Sequence, residues 1–376
     1  MLKILPIVLC SLFLAFLSNN QSKYTLDDNG RKVYYKKEKL FYFIMAASLA
    51  IFVGLRTRGN DTYAYRQMYE GIDAGAGSIG NIDWLNFSAA PGLQFLSILL
   101  KKLGASTQDY FMLTALITNG IYLWFIRKYT CNILLSIFYF ITMGVYGFTM
   151  AAIKQTMAVA FLLFATDNAI QKKWIKYLFW VMIAELFHPY AFIYLVVPFV
   201  TFHPWSSGTY YLLAGSIIVA FLLPRLLPAI DAVTGSLGYS YGENEFAGEG
   251  VNIFRVPVVW VPLVLSFIKR ARLHRSDDRA MNIIVNLMMV NSVIMFIGLF
   301  GTANYFARLA NYFLIFQALA LPWLLGLFEQ SDRTLLTRAS VIGFSAYYFY
   351  SAGIVHGGID ANYNFITFWE YLKQVF

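Results

Sequence analysis

Four places in the chain set ionisable residues against apolar sequence. The densest is "VGLRTRGNDTYAYRQMYE", Val53 to Glu70, where Arg56, Arg58, Asp61 and Arg66 follow directly on an uncharged run, Leu40–Leu55. The others are Lys154-Gln155 in "GFTMAAIKQTMAVAF", Glu185 and His188 in "IAELFHPYAF", and Arg308 in "NYFARLANYF". Charge at membrane depth is expensive and is by default a functional hypothesis. Arginine grips phosphate bidentately and lysine acts as a point charge. Histidine can take a proton from a hydroxyl near neutral pH. Together these groups suit a displacement in which a hydroxyl attacks a sugar carried on a lipid diphosphate. The charge on the departing diphosphate grows in the transition state and needs preorganised cations. If Arg and Lys supply them, no metal is obligatory.

In this reading His188 is the general base, and Arg56, Arg58, Lys154 and Arg308 hold the diphosphate. Asp61 is the alternative base, or it accepts from a sugar hydroxyl, orients an arginine, or simply pairs with Arg58. Tyr65, Glu185 and Tyr312 stand on the sugar side, although packing is the plainer role for both tyrosines and a Lys154 pair for Glu185. Each cation has a plain alternative as well. Arg308 and Lys154 could snorkel to headgroups, and His188 could bond a carbonyl freed by Pro189.

The elements that must position these residues follow from composition. The 376-residue chain is 59% hydrophobic and 13% charged, with mean hydropathy +0.58. That places it among all-α polytopic membrane proteins, as a single transmembrane domain over 1–376. The net charge of +9 orients helices by the positive-inside rule and does not call for nucleic acid. Cys10 and Cys131 offer no disulfide framework, and the four histidines have no metal-ligand spacing. Twelve spans are expected, near 2–18, 40–55, 110–126, 132–150, 153–170, 175–188, 190–202, 209–227, 252–268, 281–300, 308–328 and 338–355. The two around His188 are short enough to form a broken hairpin.

Most of the Lys and Arg residues fall in loops 19–39 and 269–280, at Arg127-Lys128, at Lys172, Lys173 and Lys176, and at Arg333 and Arg338. All lie on one side if "PGLQFLSILLKKLG", Pro91–Gly104, does not cross but lies in the interface or re-enters. Both termini are then outside. "AFLSNN" is a poor cleavage site, so residues 1–18 are expected to be a retained helix. The outer loops 56–109 and 228–251 then share a face with Lys154, His188 and Arg308. Aromatic residues and acids in these loops suit sugars, and flexible linkers would look much the same.

"GLRTRGNDTYAYRQMYE" resembles the opening motif of the EpsG-like membrane proteins, a branch of the Wzy-type polysaccharide polymerases. Gly59, Asp61 and Tyr65 match its G-x-D-x-x-x-Y pattern. "PGLQFLSILLKKLG" resembles the short helix that follows, and the block from Ile153 to Phe199 is similar to the central basic-Gln, helix, Ala-x-x-Phe-His region. Arg308, Tyr312 and Phe313 resemble a later Arg-x-x-x-Tyr-Phe signature. The likeness covers most of residues 40–330. Lys154 stands where Arg is more usual before Gln, which keeps the charge but not bidentate recognition. Asn60 replaces the usual Thr, and Pro189-Tyr190 replaces small polar residues.

The resemblance implies a glycosyltransferase C-like architecture in the bacterial cytoplasmic (inner) membrane. It implies joining of undecaprenyl-diphosphate-linked oligosaccharide repeats on the outer or periplasmic face, for exopolysaccharide, capsule or O-antigen. No cofactor, nucleotide sugar or metal is implied. The implied partners are membrane lipids and the flippase and chain-length regulator of the same pathway. An O-antigen ligase would use the same chemistry on another acceptor. A transporter of lipid-linked oligosaccharide would instead show internal repeats and midplane charges, and a membrane acyltransferase would need its acyl donor to reach the histidine.

Overall fold

The computed structural model describes residues 3–26, 32–73, 75, 78–236, 251–300, 303–355 and 358–375. Within the outer loop 228–251, residues 237–250 lie outside the described residues. The helices in chain order are α1 (Leu5–Gln21), α2 (Leu40–Gly54), α3 (Thr62–Glu70), α4 (Pro91–Lys102), α5 (Thr107–Tyr129), α6 (Ile133–Thr142), α7 (Val145–Ala151), α8 (Ile153–Ile170), α9 (Trp174–Glu185), α10 (Ser207–Ser236), α11 (Arg255–Ile268), α12 (Arg270–His274), α13 (Arg279–Ile297), α14 (Ala303–Asn311), α15 (Leu314–Leu325), α16 (Gln330–Gly353), α17 (Gly358–Asn362) and α18 (Phe368–Val375). A 3-10 segment, Pro189–Val200, follows α9. Sheet among the described residues is limited to two antiparallel pairs. β1 (Lys23–Leu26) pairs with β2 (Lys32–Lys36), and β3 (Arg56–Arg58) with β4 (Asn364–Phe365).

Among the described residues, α5 and α13 are long and apolar enough to cross a membrane. Two bent pairs raise the number to four if each is one span: α6 with α7, bent by 49°, and Tyr305–Asn311 with α15, bent by 53°. The remaining apolar helical segments, α1, α2, Pro189–Val200, Ser207–Leu222 and α11, are shorter.

Two ends of the bundle can be told apart by what closes the helices. At one end basic side chains cap carbonyls where helices stop. Arg279 donates to the carbonyls of Ala169 and Ile170 at the C-terminus of α8. Arg333 donates to Gly326 and Phe328 just past α15, and Arg272 to Leu327. Arg127 and Lys37 exchange bonds with each other's backbone. A cation near a helix C-terminus satisfies orphan carbonyls and opposes the helix dipole. The opposite end carries Arg56, Lys154, His188 and Arg308. There Gln108 donates to the Gly54 carbonyl at 2.6 Å, so α2 and α5 form an antiparallel pair. α4 therefore does not traverse the bundle. Its first turn docks on the turn after α9, where the Gly92 N–H bonds the Leu186 carbonyl at 2.8 Å.

The C-terminal segment returns to this end. β4 pairs with β3 in the register Arg56↔Phe365 and Arg58↔Asn364. Lys3, ahead of α1, donates to the Tyr363 carbonyl at 2.8 Å and to the Asn364 side chain at 2.9 Å. Tyr371 of α18 donates to Asp109 at 2.7 Å. Gly59, at φ 135°, leads into Asn60 at φ 37°, a turn that a glycine–asparagine pair tolerates. A Cβ on Gly59 would stand 2.1 Å from the Tyr363 ring. Gly59→Val combines that clash with a strained φ, at a cost on the order of 1–3 kcal/mol for the backbone alone. It is expected to release residues 358–368 to limited proteolysis in detergent while the rest resists. Unchanged cleavage would show that the β3–β4 contact does not hold the segment.

Candidate functional site

The site is built around a break in a helix. Between α14 and α15 the backbone turns through Tyr312 and Phe313, whose N–H groups reach back only three residues, to the Leu309 and Ala310 carbonyls at 3.2 and 2.9 Å, so the α-helical pattern lapses. Three side chains from other elements bond carbonyls in and beside the break. Gln155 of α8 donates to the Arg308 carbonyl, Asn291 of α13 to Ala310 at 2.6 Å, and Tyr194 to Tyr312 at 3.3 Å. Where water is scarce, an irregular backbone persists only with such partners. The break holds the end of α14 against the start of α8. It thus sets Arg308 near Lys154, and the charges of both act on His188.

His188 occupies the turn between α9 and the 3-10 segment. Its Nδ1 accepts from the Tyr190 N–H at 3.4 Å and lies 2.7 Å from the Tyr312 hydroxyl. With Nδ1 as acceptor, the Tyr312 O–H donates to it and the neutral ring carries its proton on Nε2. Burial, and then the charges of Arg308 and Lys154, hold the His188 pKa below its ordinary value. The ring is therefore a neutral donor through Nε2, which makes no hydrogen bond among the described residues. Its basic lone pair is already taken.

The first motif divides. Arg58 and Asp61 are exposed, and no ion pair joins them. Asp61 sits at the N-cap of α3 but makes no side-chain cap bond. Arg56 does not reach the open side of the site. It is 1% exposed, donates to the Val53 carbonyl at 2.7 Å, and lies 4.8 Å from the Phe111 ring centroid. The returning β4 strand and Tyr363 close over it, and its Nε has no hydrogen-bond partner among the described residues. Arg308 is exposed and Lys154 half-buried.

The three residues placed on the sugar side are buried. Tyr65 is 9% exposed and its hydroxyl accepts the Lys154 backbone N–H at 3.1 Å, tying α3 to α8. Glu185 is fully buried and accepts the Phe192 N–H at 3.0 Å, which caps the 3-10 segment. Tyr312 is fully buried and orients His188. For all three, packing and backbone satisfaction replace the exposed face that a sugar would need.

Beside the site lies a chamber of about 440 Å³ that the sequence reading missed. Asn60, Arg255, Asn311 and Tyr350 line it. A signal for Arg255 was present: it is a cation at the start of an apolar run on the same end as Arg308. Among the described residues, no group of three or more His, Cys, Asp or Glu could hold a metal.

Accessibility gives a direct check on these placements. Phenylglyoxal should modify Arg58 and Arg308 in the folded protein and leave Arg56 unreacted until denaturation, read by peptide mass spectrometry. Equal modification of all three would refute the buried position of Arg56.

No curated protein and no solved structure matches the chain. The stretches that meet around the helix break, together with the returning strand over Arg56, all fall within residues 39–368, the span matched by the EpsG family model, and the chain belongs to the EpsG family.

Proposed function

We propose that this protein is a membrane polysaccharide polymerase that joins oligosaccharide repeats carried on undecaprenyl diphosphate. Membership of the EpsG family suggests a polysaccharide polymerase-like role, and the apolar helices suggest a membrane protein. The observation that carries the reading is the convergence of Arg308 and Lys154 on a neutral His188, with exposed Arg58 and Asp61 on the same end. That end is opposite the one where basic residues cap helices, so positive-inside bias does not account for its cations. It is taken as the outer or periplasmic face of the cytoplasmic membrane. The architecture is taken as glycosyltransferase C-like with twelve spans, the shorter helices included. The pathway's flippase would deliver the substrate, and a chain-length regulator would act on the product.

In this mechanism a hydroxyl of the acceptor sugar attacks the anomeric carbon of the donor. The new glycosidic C–O bond forms as the bond from that carbon to the diphosphate breaks. The electron pair leaves on the lipid diphosphate. Asp61 takes the hydroxyl proton, because its carboxylate is exposed and not consumed by Arg58 or by a helix cap. Arg58, Arg308 and Lys154 meet the growing charge, so the reaction needs no metal. His188 donates from Nε2 to a diphosphate oxygen. Arg56 adds to the positive potential from behind, through a low-dielectric wall, without contact. Bound diphosphate offsets Arg308 and Lys154 and moves the His188 pKa back up.

Substitutions separate these roles. His188→Ala should lower turnover by about 10²–10³, the usual loss of one preorganised donor, whereas His188→Gln, which keeps an N–H donor, should retain more. Asp61→Asn should abolish long polymer and accumulate lipid-linked single repeats. Activity would be followed by polymer length and lipid-linked repeats in membranes with matched protein levels. A His188→Gln protein as inactive as His188→Ala, beside an Asp61→Asn protein that polymerises, would return the base to His188. Normal chain lengths in every variant would sink the site.

A further inference from the structure

One feature is not used by the reading above. A crevice of about 330 Å³ runs between α11 and α16. Pro257, Val261 and Leu265 form one wall, and Ala339, Gly343 and Phe344 the other. The wall of α16 repeats at helical spacing, with Leu336, Ser340, Gly343 and Tyr347 on one face. The Ser340 hydroxyl is engaged by Tyr139 at 2.6 Å, so it offers little polarity to an occupant. Val261 and Gly343 are exposed, so the crevice opens on the outside of the bundle. From Leu336 to Tyr347 it extends about 16 Å along the helix, roughly the depth of one bilayer leaflet.

The crevice does not end blindly. Val258 and Tyr347 also line a constriction shared with Arg255, Asn291 and Asn311. Arg255, Asn311 and Tyr347 then line the larger chamber with Asn60, two residues after Arg58. Shared lining residues thus set a polar chamber holding a cation, Arg255 hydrogen-bonded to Tyr347, beside an apolar slot. No carboxylate among the described residues pairs with Arg255. An anionic head on a long hydrocarbon tail has the matching arrangement of charge and apolar length.

We propose that the α11–α16 crevice seats the hydrocarbon tail of the diphosphate lipid, with Arg255 contacting the diphosphate at its mouth. This rests on the polymerase reading and adds the route by which its substrate arrives, laterally from the bilayer. Gly343 keeps the slot open: a Cβ there meets nothing within 4 Å. A large side chain at that position fills the slot.

The test uses the full-length protein in nanodiscs. Gly343→Phe should raise KM at least tenfold for a long-chain polyprenyl-diphosphate-linked repeat relative to one on a two-isoprene carrier. Ile342→Phe, which places the same bulk on an exposed neighbouring position, serves as the folding control and should not change that ratio. A Gly343→Phe ratio equal to wild type would overturn the proposal and leave the polymerase reading standing. Should wild type turn over neither donor, the polymerase reading fails, and the crevice is still read by photo-crosslinking. A photoreactive long-chain polyprenyl diphosphate should label α11 and α16 in wild type and not in Gly343→Phe. Arg255→Gln should weaken labelling by the diphosphate more than by the matching polyprenol. Labelling abolished by phosphatidylglycerol at membrane concentration, or insensitive to Arg255→Gln, would mark a seat for ambient phospholipid and overturn the assignment.

Discussion

A helix that stops inside a bundle must find partners for its last carbonyls, and that requirement organises this protein. The carbonyls of Arg308, Ala310 and Tyr312 are met by Gln155, Asn291 and Tyr194. Each donor comes from a different helical element, so the break ties α8, α13 and the 3-10 segment to α14. The Asn291 and Tyr194 bonds are buried and the Gln155 bond partly so; where the carbonyl has no second donor, removing the side chain strands an acceptor, which costs more than an ordinary hydrogen bond contributes. Gln317 extends the network by donating to Asn291 at 2.9 Å. The placing of Arg308 and Lys154 around His188 follows from this arrangement of neutral side chains. The charges themselves do not create it, since like charges repel.

His188 shows how a neutral scaffold sets chemistry. The Tyr190 N–H and the Tyr312 hydroxyl both act on Nδ1, and the tautomer follows. Burial, and then the two cations nearby, make an imidazolium unfavourable. The proposed role of His188 as a donor, where the sequence reading has a base, rests on these surroundings. Tyr312 is a positioning residue here, because it acts on the ring and is itself fully buried.

Much of this end of the molecule was legible in the sequence. Isolated charges in apolar runs stand out because burial of charge is costly, and Lys154, His188 and Arg308 do come together. The return of α4 without crossing was legible from the distribution of Lys and Arg. Burial of Arg56 was not, because it depends on a strand more than 300 positions away that pairs with β3. Nor were the roles of Tyr65 and Glu185, since a tyrosine or glutamate that satisfies a backbone N–H has the same local sequence as one that faces solvent. Gln155 was noticed only as the neighbour of a lysine, while its amide holds the helix break. Arg255 was absorbed into an apolar run, where one charge barely changes the hydropathy.

The pairing of β3 with β4 also bears on when the protein becomes competent. Lys3, residues 56–59 and residues 363–365 meet at one place, so segments far apart in sequence are joined there. Contacts of such sequence separation form late. During synthesis the segment carrying Tyr363 emerges after the helices that bear Lys154, His188 and Arg308. Until it arrives, Arg56 lacks its cover and the first motif lacks its strand partner. Cover of Arg56 is thereby coupled to emergence of the segment around Tyr363, an ordering written into the topology.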